Sequence, residues 1–304
     1  MRRKRKNPLP GRFAVLLTCH NRKETTLAAL RRLFEQRLPK HGELTVFLVD
    51  DGSSDGTSEA IRKEFQQIRL LRGNGNLYWG GGMRCAFGEA LKEDYDYYFW
   101  LNDDTYLDSD ALARMVAAHE DLIAQNYDCS IMVGSLRDPA SGTLTYGGVV
   151  HRSRIHPLKY ALLPPGSEPL SCDTMNGNAV LIPRSVANLV GNISSSFTHN
   201  MGDLDYGLRA RKLGCSVWIA PGFVGTCSWN KVKDTYLDPV LPLSERLNKM
   251  FTTKGLPARE YYRYARAHAG VFWPFFGGLP YIRITLHSLL CAIRPKRGSS
   301  ESLR

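Results

Sequence analysis

The chain has 304 residues, an apolar fraction of 43% and a formal net charge of +11. That length suits one large α/β domain plus an appendage, and that apolar fraction suits an ordinary globular core. Seven cysteines are scattered without a C-x-x-C pair, which argues against a disulfide framework and for a reducing compartment, while the basic bias admits nucleic acid, an anionic membrane or a phosphorylated substrate as partner.

The start, Met1-Arg2-Arg3-Lys4-Arg5-Lys6, is basic, but the apolar run after Arg12 is too short for the apolar region of a secretion signal. It reads either as a solvated tail over residues 1–12 or as a contact with a membrane surface. A first buried strand is expected over 13–17, ending in Thr18-Cys19-His20-Asn21, and a helix over 23–36 follows with Leu27, Leu30, Leu33 and Phe34 on one face. A second strand, 44–49, closes in Asp50-Asp51-Gly52-Ser53-Ser54-Asp55-Gly56-Thr57, before a helix over 58–67 and a short strand over 68–71. This β-α-β-α-β order implies parallel strands joined by right-handed crossovers.

The run Gly73-Asn74-Gly75-Asn76-Leu77-Tyr78-Trp79-Gly80-Gly81-Gly82 reads as a loop that a ligand can approach, with a helix over 83–92 after it. A helix N-terminus behind such a loop is a natural phosphate site. The chain has no P-loop pattern and no G-x-G-x-x-G in its first βα turn, which speaks against a nicotinamide cofactor.

The apolar strand expected over 97–101 ends in Asn102-Asp103-Asp104-Thr105. Two carboxylates at the rim of an open α/β sheet suit a hard cation such as Mg²⁺, which shares its oxygen ligands with substrate phosphates. The competing reading is a turn that caps the next helix, expected over 109–126. Further strands are expected over 131–134, 143–146, 149–150 and 179–182. Gly202-Asp203-Leu204-Asp205-Tyr206 precedes a helix expected over 207–213, which Gly214 stops, so one of the two carboxylates can serve the helix start and leave the other free. A helix bearing Arg and Tyr is expected over 259–266. The apolar stretch 271–293 is broken by Pro274, Gly277, Gly278 and Pro280, which makes it a poor membrane span. It reads either as an amphipathic segment lying in a membrane interface or as packing on the protein's own core.

With these pieces in order, residues 13–229 resemble the inverting glycosyltransferases of family 2. Four motifs carry the resemblance: Leu17-Thr18-Cys19-His20-Asn21, Val49-Asp50-Asp51-Gly52-Ser53-Ser54-Asp55-Gly56-Thr57, Asn102-Asp103-Asp104-Thr105 and Gly202-Asp203-Leu204-Asp205-Tyr206. The resemblance implies an α/β chain of the GT-A (Rossmann-like) fold, with a mostly parallel central sheet flanked by helices and a C-terminal helical appendage. It implies a glycosyltransferase domain over 13–230, its nucleotide-binding half over about 13–105 and its acceptor half over about 106–230, followed by a helical region over 231–304. It also implies roles. Thr18, Asn21, Asp51, Gly82 and Asp103 would bind the donor, Asp104 would bind a divalent cation (Mg²⁺ or Mn²⁺), and Asp203 would be the catalytic base. Asn102 at the first metal-motif position and the Gly-rich run resemble rhamnosyltransferase-like members, which points to a UDP- or dTDP-linked donor such as dTDP-rhamnose. Cys227 stands where many relatives carry a metal-binding His. The acceptor would be a saccharide or lipid-linked saccharide of a surface polysaccharide. Apart from the resemblance, the scattered cysteines, the basic start and the broken apolar stretch point to a protein that is cytoplasmic and peripheral on the inner membrane face.

Three other functions compete, one of them a degenerate transferase that only binds, which the joint presence of Asp51, Asp104 and Asp203 argues against. A sugar-phosphate nucleotidyltransferase would want a Gly-rich, basic loop directly after the first strand, and Thr18-Cys19-His20-Asn21 is not one. A nucleic-acid-binding module would want a basic motif, whereas the basic residues beyond the tail are dispersed, so no nucleic acid is expected as partner.

Overall fold

The computed structural model describes residues 11–39, 42–153 and 155–293. The chain divides into two compact units, the first made of residues up to Ile155 with Lys159–Trp229, the second of His156–Leu158 with the residues from Asn230 onward.

The first unit is built on a ten-stranded sheet. Its nucleotide-side half runs β1 (Arg12–Cys19), α1 (Lys23–Phe34), β2 (Glu43–Asp50), α2 (Thr57–Glu64), β3 (Arg69–Arg72), α3 (Tyr78–Ala90) and β4 (Tyr97–Leu101). Then come β5 (Tyr106–Leu107), α4 (Ala111–Ala124), β6 (Ser130–Arg137), β7 (Leu144–Tyr146), β8 (Gly148–His151), β9 (Tyr160–Leu162), β10 (Leu170–Cys172), β11 (Thr174–Met175), β12 (Ala179–Pro183), α5 (Arg184–Val190), α6 (Gly202–Lys212) and β13 (Ser216–Thr226). The main path of the sheet is β10-β13-β6-β12-β4-β1-β2-β3, with β5 and β7 attached to β13 and β6. Four of the seven neighbour pairs on that path are parallel, and the β4-β1-β2-β3 block is wholly so. A three-stranded sheet, β11-β8-β9, stands beside it.

Both faces of the central strands are covered, so they read as continuous apolar runs rather than alternating ones. Alternation persists in which core each side chain joins. Phe13, Val15, Leu17, Phe99 and Leu101 pack with Leu27, Leu30 and Leu33 of α1 and Leu112 and Met115 of α4. Ala14, Leu16, Tyr98 and Trp100 point the other way, onto Met83, Ala86 and Phe87 of α3 and Tyr206 and Ala210 of α6. Each strand therefore holds its helices on fixed sides, and the loops after β1, β2 and β4 leave the same edge of the sheet. β12 runs antiparallel against β4, pairing Ala179 with Leu101. Its entry turn, residues 176–178, thereby meets the exit of β4, and Asn102 N–H donates to the Asn178 carbonyl at 3.0 Å.

Two helices start ahead of the expected place, α6 at Gly202 rather than at 207, and α3. The helix expected from residue 83 begins at Tyr78, so Gly80, Gly81 and Gly82 are helical and buried. The reason is close approach. A Cβ on Gly82 would come within 2.1 Å of Thr18 Oγ1, and one on Gly80 within 2.7 Å of the Phe197 carbonyl. The glycines let α3 press against β1 and the 197–198 segment, a use that outweighs their poor helix propensity.

The second unit holds α7 (Leu243–Met250), α8 (Ala258–His268) and α9 (Trp273–Ile293), with a 3₁₀ turn at Gly270–Phe272. Ala265, Ala269 and Phe276 form its small core. Among the described residues no helix is long and apolar enough to cross a membrane.

Candidate active site

At the end of β2, Asp50 and Asp51 are both buried. Asp50 accepts a bond from Ser53 N–H at 3.0 Å and another from the Ser58 hydroxyl, which ties the loop to α2. Asp51 accepts three backbone N–H groups, from Gly75 at 2.8 Å and from Leu77 and Tyr78 at 2.9 Å each. Leu77 and Tyr78 open α3, so the positive helix N-terminus that looked free for a phosphate is filled by Asp51. The loop can wrap this carboxylate because Gly52 and Gly75 take positive φ (+70° and +84°) where they touch, with no room for a Cβ on Gly52. Asp51→Ala should therefore cost about 2–4 kcal/mol of stability with no nucleotide present, since three donors lose a charged acceptor. Urea unfolding checks this, and unchanged stability would mean that the loop stands without Asp51.

Thr18 lies at the end of β1 with Gly82 of α3 pressed against it. Asn21, two residues past the strand, has φ +49° and its side-chain oxygen accepts from Ser54 N–H at 2.7 Å. Its own N–H donates to the Ser53 hydroxyl at 2.9 Å. Asn21 thus staples the β1 and β2 loops together. Asp55 completes the staple by accepting the Lys23 N–H at 3.0 Å at the start of α1.

Beyond β4 the two carboxylates of the acidic motif differ. Asp103 is buried and receives the Thr26 hydroxyl at 3.4 Å. Burial pushes its carboxyl up to about 7, against the opposing pull of Arg22. Asp104 is more open. One guanidinium, Arg22, spans both, with Nη1 at 2.9 Å from Asp103 Oδ1 and Nη2 at 2.8 Å from Asp104 Oδ2. The other Asp104 oxygen faces the Cys227 sulfur at 3.6 Å. Burial first, then Asp104, pushes that thiol up to about 12, so Cys227 stays protonated and donates. Sequence reading passed over Arg22; its place directly behind Asn21 on the rim loop was the available signal.

Asp203 stands in the first turn of α6, and its carboxylate accepts N–H groups from Gly177 at 2.9 Å and Leu204 at 2.8 Å. Burial raises its pKa, and these two bonds oppose the rise. Asp205, two residues on, is buried and pairs with Arg209 at 2.7 Å. Arg209 also donates to the Val190 and Asn192 carbonyls, so this carboxylate serves the packing of α6. Trp79 links the two halves of the rim. Its indole N–H donates to Asn102 Oδ1 at 2.7 Å. Its ring lies against Gly177, where a Cβ would come within 2.4 Å of the indole and 3.2 Å of Asp203 Cβ. The ring thus bridges the exit of β4 and the Asp203 turn.

Among the described residues, no group of three or more His, Cys, Asp or Glu could enclose a metal ion. The donor set still fits a shared cation. Mg²⁺ and similar ions use one or two carboxylates and complete their shell with water and substrate phosphate. Asp104, at the rim and partly exposed, offers that carboxylate, while the neutral thiol of Cys227 is a soft donor that a hard cation does not favour.

Comparison with known proteins agrees with this geometry. Residues 14–172, more than half of the chain, match the family model for Glycosyl transferase family 2. Poly-beta-1,6-N-acetyl-D-glucosamine synthases of Staphylococcus epidermidis and of Staphylococcus aureus strain COL are 30% identical over 112 residues, covering 34% of this chain and 24% of each synthase. The matched stretch thus spans about a quarter of those relatives' length. Among solved structures, S. aureus TarS superposes with a TM-score of 0.52 at 13% identity, covering 84% of this chain and 42% of TarS. A TarS 1–349 structure in complex with UDP gives 0.51 at 13% identity, covering 84% and 70%. These structures share the fold. On the family match and the motifs at the rim, the chain belongs to glycosyl transferase family 2.

Proposed function

We propose that this glycosyltransferase moves a sugar, with inversion, from a UDP- or dTDP-linked donor to a saccharide or lipid-linked saccharide of a surface polysaccharide. dTDP-rhamnose is the leading donor. The observation that carries the reading is the bridge made by Trp79, which joins the acidic motif of β4 to the Asp203 turn on one rim. The named relatives make a polysaccharide, and one structure of the same fold holds UDP. Membership in the family leaves nucleotidyl transfer and nucleic-acid binding without support.

In this reading Asp203 takes the proton of the acceptor hydroxyl as its oxygen bonds to the anomeric carbon. The bond from that carbon to the diphosphate breaks, and the nucleoside diphosphate leaves from the opposite face. A divalent cation shared by Asp104 and the diphosphate would act as a Lewis acid on the leaving group. Thr18 meets the donor at the end of β1. Asp51 and Asn21 act on the donor through the loops they hold, Gly82 keeps α3 close enough for Thr18 to be placed, and Asp103 with Arg22 fixes the orientation of Asp104.

Thermal unfolding with a panel of nucleotide sugars and Mn²⁺ tests the donor. A ligand that binds only the folded state adds about 2.7 kcal/mol at a hundredfold excess over its Kd. UDP- or dTDP-sugars should stabilise the protein. Stabilisation by GDP-sugars with none from the other two would reject the donor class.

A further inference from the structure

The second unit carries apolar side chains on two sides of α9. Phe276 and Ile284 are buried. On the outer side, Phe275, Ile282 and Leu286 recur at helical spacing, and Val271 and Phe272 of the preceding turn extend the row. These five are between 51% and 86% exposed. Such a stripe on a helix is ordinarily the face that goes inward. Here it is open and keeps to one side of the helix, which sets it apart from singly scattered surface residues.

Charge selects the partner. Residues 230–304 hold thirteen Lys or Arg against five Asp or Glu, a net +8 of the chain's +11. Arg283, exposed, sits three residues before Leu286 and borders the stripe, and Arg259, Arg263 and Arg266 are exposed on α8. A second copy of the chain would bring two strongly basic units together. An anionic lipid surface complements both features at once, because apolar side chains enter the acyl boundary while Arg and Lys meet the headgroups.

We propose that the outer face of α9 docks on an anionic bilayer, with the helix lying in the plane of the interface. Flotation of the full chain with vesicles tests this. Vesicles of phosphatidylcholine with about a third phosphatidylglycerol should retain the protein at low salt, pure phosphatidylcholine should retain far less, and added salt should weaken binding. The double variant Phe275→Ser/Ile282→Ser changes exposed side chains and should leave thermal unfolding unchanged while weakening vesicle binding at least tenfold. Three results would overturn the proposal. One is no retention on phosphatidylglycerol vesicles. Another is undiminished retention of the folded double variant, which would assign the attraction to charge elsewhere, such as the basic start of the chain. The third is a concentration-dependent dimer that the double variant abolishes, which would assign the stripe to a second copy.

Discussion

Asp203→Asn should lower turnover by ~10²–10⁴-fold, the usual weight of a general base, and leave binding of UDP or dTDP near normal. The substitution keeps the shape but removes the proton acceptor, and because the Gly177 and Leu204 N–H groups bond different carboxylate oxygens, the single amide oxygen keeps only one of them. Asp205→Asn provides the contrast. That carboxylate is buried against Arg209, so its loss should act on stability, by about 1–3 kcal/mol, with turnover of the folded fraction retained. The pH profile gives a second readout. Burial raises the pKa of Asp203, and a base works only when deprotonated, so activity should be full at high pH and fall as pH drops through that raised value. The acid limb of kcat/KM should therefore lie above the ordinary carboxylate value of about 4 and vanish in Asp203→Asn. If Asp205 proved essential and Asp203 dispensable, the roles assigned to the two would be reversed.

The sheet was legible because its strands are apolar runs with polar rims, and the β1-β2-β3 order follows from two short crossovers. The i,i+4 spacing of Asp205 and Arg209 on one helix is a signal that a sequence does carry, and the two pair in the structure. What stayed hidden depends on contacts between elements distant in the chain. The triple glycine looked like loop because composition cannot tell a flexible turn from a helix that needs close approach to β1. The phosphate site expected at α3 is occupied by Asp51, a side chain from the loop after β2, and no local pattern announces that. Cys227 lands beside Asp104 because β13 pairs antiparallel with β5, Thr226 opposite Tyr106. The antiparallel place of β12, which brings Gly177 to Asp203, likewise follows from topology rather than from the residues of the strand.

Asp104→Ala should reduce turnover by at least ~10²–10³-fold, the loss typical when one electrostatic partner of a developing charge is removed, and Mn²⁺ should no longer tighten UDP binding. Titration calorimetry of UDP with and without Mn²⁺ separates binding from catalysis. Normal turnover, or retained metal coupling, would sink the assignment of the cation to Asp104. Arg22 makes the test sharper. Its two nitrogens hold one oxygen of each carboxylate, so a cation at Asp104 would compete with a guanidinium already placed there. Arg22→Ala frees Asp104 of the guanidinium and lets the buried Asp103 carboxyl rise further and keep its proton, so a cation would meet the Asp104 carboxylate without a competing counter-charge. Mn²⁺ should then bind the nucleotide-free variant more tightly than the wild type, while UDP adds less to the binding. The order matters for the reaction. On the proposed cation site, the guanidinium of the wild type would hold the carboxylates until a diphosphate arrives to share the metal, and the cation and the donor would then bind as one unit.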